Sequence, residues 1–413
     1  MHICVLGAGI VGLATAWELH RQGHDITVVD RALPGSGTSS GNGAQLSYPY
    51  VAPLADASIW AQLPHLLLAA DSPLKLRPKL DPQQWRWGVE FLAACNVGTA
   101  AATTKRLLAL AAHSRKGFEA MRAELAPECD FSATGKLVLY RSAAGVEAAR
   151  RQVELQRALG APAQMIVTPE ECAALEPALA GYHREIAGGV HTPSECAADC
   201  LKVCQALAAA LAARGVRFVL GHAVQAFDRQ GRDIAAVQTE AGPVAADAFV
   251  MALGTASARF GRQLGAHVPV YPLKGYSITV PVDAAPGAAP RVSVTDSARK
   301  TVFARLGDRL RVAGMAELVG EDARIPKDRI DALIEATKAV FPRAARDFDA
   351  PEPWTGMRPA TPKGTPLIGA LPGAPRNLLF NTGHGALGFT LAFGTAREVA
   401  ARLPSVHARP SMP

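Results

Sequence analysis

The chain reads as an α/β protein: a Rossmann-like dinucleotide-binding domain, discontinuous in sequence, with an interleaved α+β domain built on a mixed, largely antiparallel sheet. Three observations predict this. The first thirty residues spell strand, glycine turn, helix, strand and terminal acid. A later block, VPVYPLKGYSITVPV and VSVTDSARKTVFARLGDRLRVAGMAEL, alternates with period two, as antiparallel strands do. The C-terminal region then returns to strand, glycine turn and helix.

The opening element is His2 to Leu6, an apolar run that predicts a strand. Gly7, Gly9 and Gly12 follow in the spacing Gly-x-Gly-x-x-Gly, with Ile10 and Val11 between the last two, and Ala14 to Leu19 opens a helix. Gly7 permits the tight turn, Gly9 leaves the backbone open to a pyrophosphate, and Gly12 lets the helix lie close on the sheet. The helix start offers unpaired N–H groups and a partial positive charge to a diphosphate. Ile26 to Val29 form the second strand, which ends at Asp30 and then Arg31. A carboxylate there accepts ribose hydroxyls and repels a 2′-phosphate, which argues against NADP. A glycine turn serving packing alone would not need that acid.

Composition bounds the function. The chain has 413 residues, 49% of them hydrophobic, with a net charge of +7 and pI near 9.1. Its Lys and Arg are scattered without a block or stripe, so no nucleic-acid partner is expected. A diffuse positive surface suits an anionic membrane face, an acidic partner or plain solubility. No apolar run is long enough to span a bilayer, and the N-terminus enters a strand with no signal peptide. The expected location is cytoplasmic, with peripheral attachment to the inner membrane face as the variant. Seven cysteines are expected as thiols. Cys196, Cys200 and Cys204 repeat every four residues in a predicted helix, a packing row rather than a metal cage, and no metal is expected.

The remaining elements follow in order. A long Gly/Ser loop runs from Ala32 to Leu54; Ser39, Ser40, Asn42 and Gln45 offer donors and acceptors, while Gly41, Gly43 and Ala44 leave room for a flat ring. Residues 81–125 are largely helical, with Trp85 and Trp87 as core anchors. Phe131 to Tyr140 predicts a hairpin or strand pair, Ala143 to Leu159 a charged helix, and Thr168 with Glu171 a capping box. Gly188 to His191 leads into a helix over 195–214 capped by Ser194, then a strand, a hairpin-rich segment and a buried strand ending at Gly254. After the antiparallel block come an exposed helix from Pro326 to Val340, a strand from Asn377 to Asn381 and a final helix from Phe389 to Leu403. The cofactor domain is therefore assigned to 1–80, 160–265 and 350–405, the substrate domain to 81–159 and 266–349, and 406–413 to a disordered tail.

Two later motifs carry chemistry. Gly383, Gly385 and Gly388 surround His384 just before the last helix, so a second helix start faces a second negative centre. With the diphosphate already served, its natural client is the N1/C2=O edge of a reduced flavin, which favours FAD over NAD. His384 either tunes that edge or holds the turn. Arg358, between Gly356 and Pro359, either grips a carboxylate or forms a surface ion pair. Lys274 and Tyr276 share one face of a strand, and Tyr48 and Tyr50 lie in the early loop; any of them could line the pocket.

The segments VLGAGIVGLATAWEL, SSGNGAQLSYPY, YPLKGYSITV, GMRPATPKGTPLIG and NTGHGALGFTLAFG, in this order, resemble the FAD-dependent D-amino-acid dehydrogenases. These sit within the group that includes D-amino-acid, glycine and sarcosine oxidases. The resemblance spans nearly the whole chain. It implies non-covalent FAD and oxidative deamination of a D-amino acid by hydride transfer from Cα to flavin N5, with water then releasing a 2-oxo acid and ammonia. Electrons would pass to a quinone or another acceptor. It also implies that Gly7, Gly9, Gly12 and Asp30 hold the ADP half, that Ser39 to Leu46 and Gly383 to Thr390 (with Ala386, Leu387 and Gly388) flank the ring, and that Gly356 borders it. Val224 would meet the adenine, and Ala252, Leu253 and Gly254 the diphosphate. Arg358 would bind the substrate carboxylate, Tyr276 would shape the pocket, and Lys274 would be a cation near N5 affecting oxygen reactivity. Asp30 departs from the commoner Glu by one methylene. The rivals are a glycine- or sarcosine-type oxidase, a D-proline or hydroxyproline dehydrogenase, and a flavin-binding subunit with no chemistry of its own.

Overall fold

His2–Leu6 is buried because four of its five residues are apolar, and such a run is stable only with both faces covered. In the computed structural model, which describes residues 1–51, 53–57, 59–60, 74–283, 285–345, 347–348 and 350–403, it is central in a six-stranded sheet. The order is Leu367–Gly369, Leu378–Thr382, Ala248–Met251, His2–Leu6, Asp25–Asp30 and Arg217–Leu220, parallel except for the antiparallel edge strand Leu367–Gly369. On one face pack the helices Ile10–Arg21, Cys200–Ala213, Gly388–Ala400 and Val97–Leu125, joined in one apolar core with Ile3, Val5 and Val28. The other face, carrying Cys4, Leu6 and Phe249, packs on a three-stranded antiparallel sheet (Val224–Gln230, Asp233–Thr239, Gly242–Ala245) and the helix Ser257–Gln263.

A nine-stranded mixed sheet forms the second layer. Its order is Glu352–Ala360, Tyr271–Pro281, Arg309–Leu318, Thr301–Leu306, Ser293–Asp296, Lys136–Tyr140, Gly188–Thr192 and Met165–Val167, with Leu74–Leu76 also pairing Arg309–Leu318. The helix Lys327–Val340 is not an exposed element: Leu333 and Val340 are fully buried against this sheet.

Several expectations shift. Within 131–140 only Lys136–Tyr140 is a strand, and Ser132 makes an isolated bridge to Ala197. The helix expected over 195–214 starts at Cys200, because Cys196–Ala197 pairs with Gln45–Leu46 instead; Asp199, not Ser194, caps it by accepting from the Leu201 and Lys202 N–H groups. Cys196 thus lies on a strand, Cys200 and Cys204 on a helix, and among the described residues no group could hold a metal. Trp87 is buried, stacks on Phe91 and donates to the Ala360 carbonyl, whereas Trp85 is 57% exposed. Two positions apart on a helix means about 200° of rotation, so both cannot face one core. The C-terminal strand and helix are Leu378–Thr382 and Gly388–Ala400, and the tail 406–413 lies outside the described residues.

The two layers interleave more finely than the division into five segments. Met165–Val167, Gly188–Thr192 and Glu352–Ala360 enter the large sheet. Val97–Leu125 joins the core of the six-stranded sheet, where Phe118 meets Phe393 edge-on at a centroid distance of 5.7 Å. Among the described residues no helix is long and apolar enough to cross a membrane.

Candidate functional site

A cavity of about 1970 Å³ opens between the two sheets, about twice what a drug-sized ligand needs. At one end it is lined by Asp30, Arg31 and Val224, then by Gly7, Ala8, Gly9, Ile10, Val11, Ala252, Leu253 and Gly254. Here sterics dictate the residue types. A β-carbon on Gly12 would lie 1.8 Å from the Gly7 carbonyl oxygen, and one on Gly7 would lie 2.4 Å from that of Ala252. Gly12 therefore serves helix-to-strand packing and is not itself in the wall. Asp30 is held rigidly: its Oδ2 accepts from the Ala8 N–H at 2.6 Å and its Oδ1 from Ala32 at 2.9 Å. Each oxygen keeps a lone pair for a hydroxyl.

The middle of the cavity is walled by Ser39, Gly41, Asn42, Gly43, Ala44 and Gln45 on one side and by Gly383–Thr390 on the other. The loop is pinned from the large sheet. Arg311 donates to the carbonyls of Ser40 and Asn42 at 3.2 and 3.0 Å, and Ser277 donates to that of Gly41 at 2.7 Å. Ser39 Oγ accepts from the Ile10 N–H at 3.1 Å. Ser40 turns its hydroxyl back onto Gly37, and Leu46 is buried in the core, so neither lines the cavity. Opposite, Thr390 Oγ1 accepts from the Ser47 N–H at 3.2 Å. His384 sits against Thr395 Oγ1 at 3.0 Å, and burial pulls its pKa down to about 3. Its ring is therefore neutral at ordinary pH and braces the turn.

Both helices that begin at this cavity, Ile10–Arg21 and Gly388–Ala400, lack a side-chain cap and any acid in the first turn. Asp81, Asn96, Ser142, Thr168 and Asp199 cap helices elsewhere. Ser257–Gln263 and Lys327–Val340 are also uncapped, so the absence matters only together with the open space in front of it. A long cavity between two uncapped helix starts, with a fixed carboxylate at one end, fits an extended flavin dinucleotide.

At the far end stands Arg358. Its Nη1 donates to the Met315 carbonyl at 2.8 Å, and its guanidinium lies against Gly275. Among the described residues no carboxylate lies within ion-pair distance of it; burial lowers its pKa to about 10, so it stays charged at neutral pH. Strand alternation decides its neighbours. Leu273, Gly275 and Ser277 share a face with Trp354, Gly356 and Arg358 across the pairing. The Trp354 ring covers Gly41 and Gly356.

Lys274 and Tyr276 do share a face, as expected, but it is the opposite one. Tyr276 borders the cavity while its hydroxyl donates to Glu317 Oε2 at 2.7 Å, and Glu317 pairs with Arg329 at 2.6 Å. Lys274 is outside the wall, with Nζ on the Arg324 carbonyl at 2.6 Å and 3.8 Å from Asp322. Tyr48 is also outside it, buried beneath Arg115, while Tyr50 is in the wall.

Four residues were not anticipated: Trp354, Arg311, Ser47 and Lys136. Lys136 lines the cavity, donates to Ser47 Oγ at 2.7 Å and lies 4.2 Å from the centre of the Tyr50 ring, with buried Glu195 nearby. Burial pushes its pKa down to about 8. A lone lysine opening the apolar run KLVLY was the available signal. No local pattern marked the other three.

The sequence pattern of the FAD-dependent oxidoreductase family matches residues 2–402. The chain is 47% identical to D-amino acid dehydrogenase 2 of Ralstonia nicotianae, covering 99% of each, and 44% identical to D-amino acid dehydrogenase 2 of Pseudomonas aeruginosa, covering 98% of this chain and 96% of that one. Its fold is similar to that of glycine oxidase from Geobacillus kaustophilus, with a TM-score of 0.75 and 21% identity over 98% of this chain and 95% of that one. It is equally similar to L-proline dehydrogenase from P. horikoshii, with a TM-score of 0.75 and 18% identity over 100% and 95%. The chain belongs to the FAD-dependent oxidoreductase family.

Proposed function

We propose that this FAD-dependent oxidoreductase deaminates D-amino acids oxidatively to 2-oxo acids and ammonia and passes the electrons to a separate acceptor. Arg358 is the observation that carries the reading: a half-buried guanidinium on the cavity wall, desolvated enough to lower its pKa, with no acidic neighbour among the described residues. A partly desolvated charge without a counter-ion is costly in proportion to its burial, and a ligand that supplies one offsets that cost. An α-carboxylate does so bidentately and leaves Cα in a defined orientation. The substrate class follows the full-length relatives, which are named for D-amino acids.

When bound, the flavin supplies the acceptor for the hydride leaving Cα. The chain's own residues do the rest. Gly9, the amides of Val11 and Gly12 that follow the Ser39-bound Ile10, and Asp30 take the ADP half. The uncapped start of Gly388–Ala400 sets a partial positive charge at the pyrimidine edge, and neutral His384 holds that turn in place. Trp354 and Gly356 wall the ring side, and Arg358 fixes the carboxylate. Tyr276 shapes the pocket without proton transfer, since its proton is committed to Glu317. Lys274, on the far face, leaves oxygen reactivity to other groups.

The acceptor is a quinone met at an anionic membrane face. Supporting this, Trp60, Leu80, Trp85 and Val89 are each exposed, as are the basic Arg77 and Lys79 next to Leu80 in sequence. The central test is Arg358→Ala, assayed with D-alanine. Losing a charge-assisted pair of about 3 kcal/mol raises KM on the order of 100-fold while flavin content stays intact. An unchanged KM removes Arg358 from the site.

A further inference from the structure

We infer that Gly275 and the backbone of Met315 form a moulded seat that aims Arg358, making both positioning residues for carboxylate recognition; this rests on the role proposed for Arg358. The strand Tyr271–Pro281 pairs with both of its neighbours, but differently. Its ladder with Glu352–Ala360 is unbroken from Tyr271↔Ala360 to Thr279↔Glu352. Its ladder with Arg309–Leu318 slips: Tyr276 faces Gly314 while Lys274 faces Glu317, so Met315 and Ala316 together face Gly275. That is a β-bulge, a device that re-aims groups next to sites.

The bulge holds Met315 at φ +60, a left-handed conformation that a side-chain-bearing residue adopts only when its surroundings hold it there. The return is that its carbonyl leaves the ladder and accepts from Arg358 Nη1 at 2.8 Å. Below the guanidinium lies the bare α-carbon of Gly275. A β-carbon there would sit 2.3 Å from Nη2, 2.4 Å from Cζ and 2.7 Å from Nη1. Gly275 has no positive φ, so its requirement is for room rather than for backbone freedom. Glycine inside a strand otherwise weakens it and marks a close approach. Floor and acceptor together confine the guanidinium, and the donors they do not use are left for a ligand. Lifting it by about 1 Å is the kind of misplacement that costs up to about 100-fold in a positioned reaction.

The test uses flavin-loaded enzyme, D-alanine turnover, and benzoate binding followed by the change in flavin absorbance. Gly275→Ala is expected to keep its flavin, to raise KM and the benzoate Kd together by about 10- to 100-fold, and to change kcat less than threefold. In an Arg358→Ala background the same substitution should add less than twofold, since the group it displaces is gone. If Arg358→Ala alone leaves KM unchanged, the proposed reading of Arg358 fails and the seat with it. If Arg358→Ala raises KM but Gly275→Ala does not, or the two effects multiply, the seat is wrong and the reading of Arg358 survives. Should Gly275→Ala not fold, the bulge decides. Met315→Val, which resists positive φ, is expected to raise KM about tenfold, and Met315→Gly, which keeps both the φ and the carbonyl, to raise it less. Equal effects of the two would overturn the inference.

Discussion

The two ends of the cavity are built on different principles. The end proposed to take the nucleotide draws mainly on one stretch, Gly7 to Asp30, with Val224 and Ala252 to Gly254 beside it, and offers backbone amides, missing β-carbons and one carboxylate. The end proposed to take the substrate gathers Gly41, Gly275, Met315, Trp354 and Arg358 from strands and loops far apart in the chain, and presents side chains whose direction depends on strand pairing. A motif of the first kind is written where it acts. One of the second kind exists only once the sheet has chosen its register.

Substitutions can break that contrast, the largest effect first. Gly12→Val at the nucleotide end drives a side chain into the Gly7 carbonyl, 1.8 Å from where its β-carbon must sit. The expected product is insoluble or colourless protein; a yellow, soluble variant would mean that the helix can lift off the sheet at little cost.

The cavity wall contains the second test, Lys136 with buried Glu195 nearby. Burial lowers the pKa of Lys136 from 10.5 to about 8 and raises that of Glu195. Between pH 8 and 10.5 the unfolded chain holds a proton on this lysine that the folded chain has released, so stability rises with pH across that window. Below pH 8 the burial cost is present in full. The gap corresponds to about 3 kcal/mol at most. Denaturant unfolding of the wild type against Lys136→Met/Glu195→Gln, pH by pH, should show the wild type gaining on the variant from pH 8 upward. Parallel profiles would mean that Lys136 is not buried as a cation.

Asp30→Asn removes the charge proposed to face the ribose hydroxyls and, having a single acceptor oxygen, also gives up one of the two bonds from the Ala8 and Ala32 N–H groups. About tenfold weaker FAD retention, read by dialysis of the holoprotein, is expected, worth about 1.4 kcal/mol. Retention equal to wild type would shift the burden of nucleotide binding wholly to backbone amides. The smallest effect belongs to the surface. Trp85→Ser should leave the unfolding free energy within about 0.5 kcal/mol of wild type and reduce co-sedimentation with vesicles containing anionic lipid. Undiminished co-sedimentation would send the search for an acceptor surface elsewhere.

What the sequence determined by itself is whatever depends on neighbours within a turn or two. The glycine spacing, Asp30 at its strand end, the capping box at Thr168 and Glu171, and the glycine turn before the last helix all stand as read. Lys274 and Tyr276 were correctly placed on one face of one strand. Which face met Arg358 was decided elsewhere, by the pairing with Glu352–Ala360 and the helix Lys327–Val340 on the other side. The same holds for Trp85 against Trp87, and for Cys196, drawn from a predicted helix into a strand by Gln45–Leu46. Arg358 could be suspected from its turn-rich context, but its bare floor and its bulged acceptor could not. Side-chain period is a property of one strand, whereas parity relative to a cavity, and the slip that frees Met315, arise when strands dozens of residues apart compete for the same hydrogen bonds.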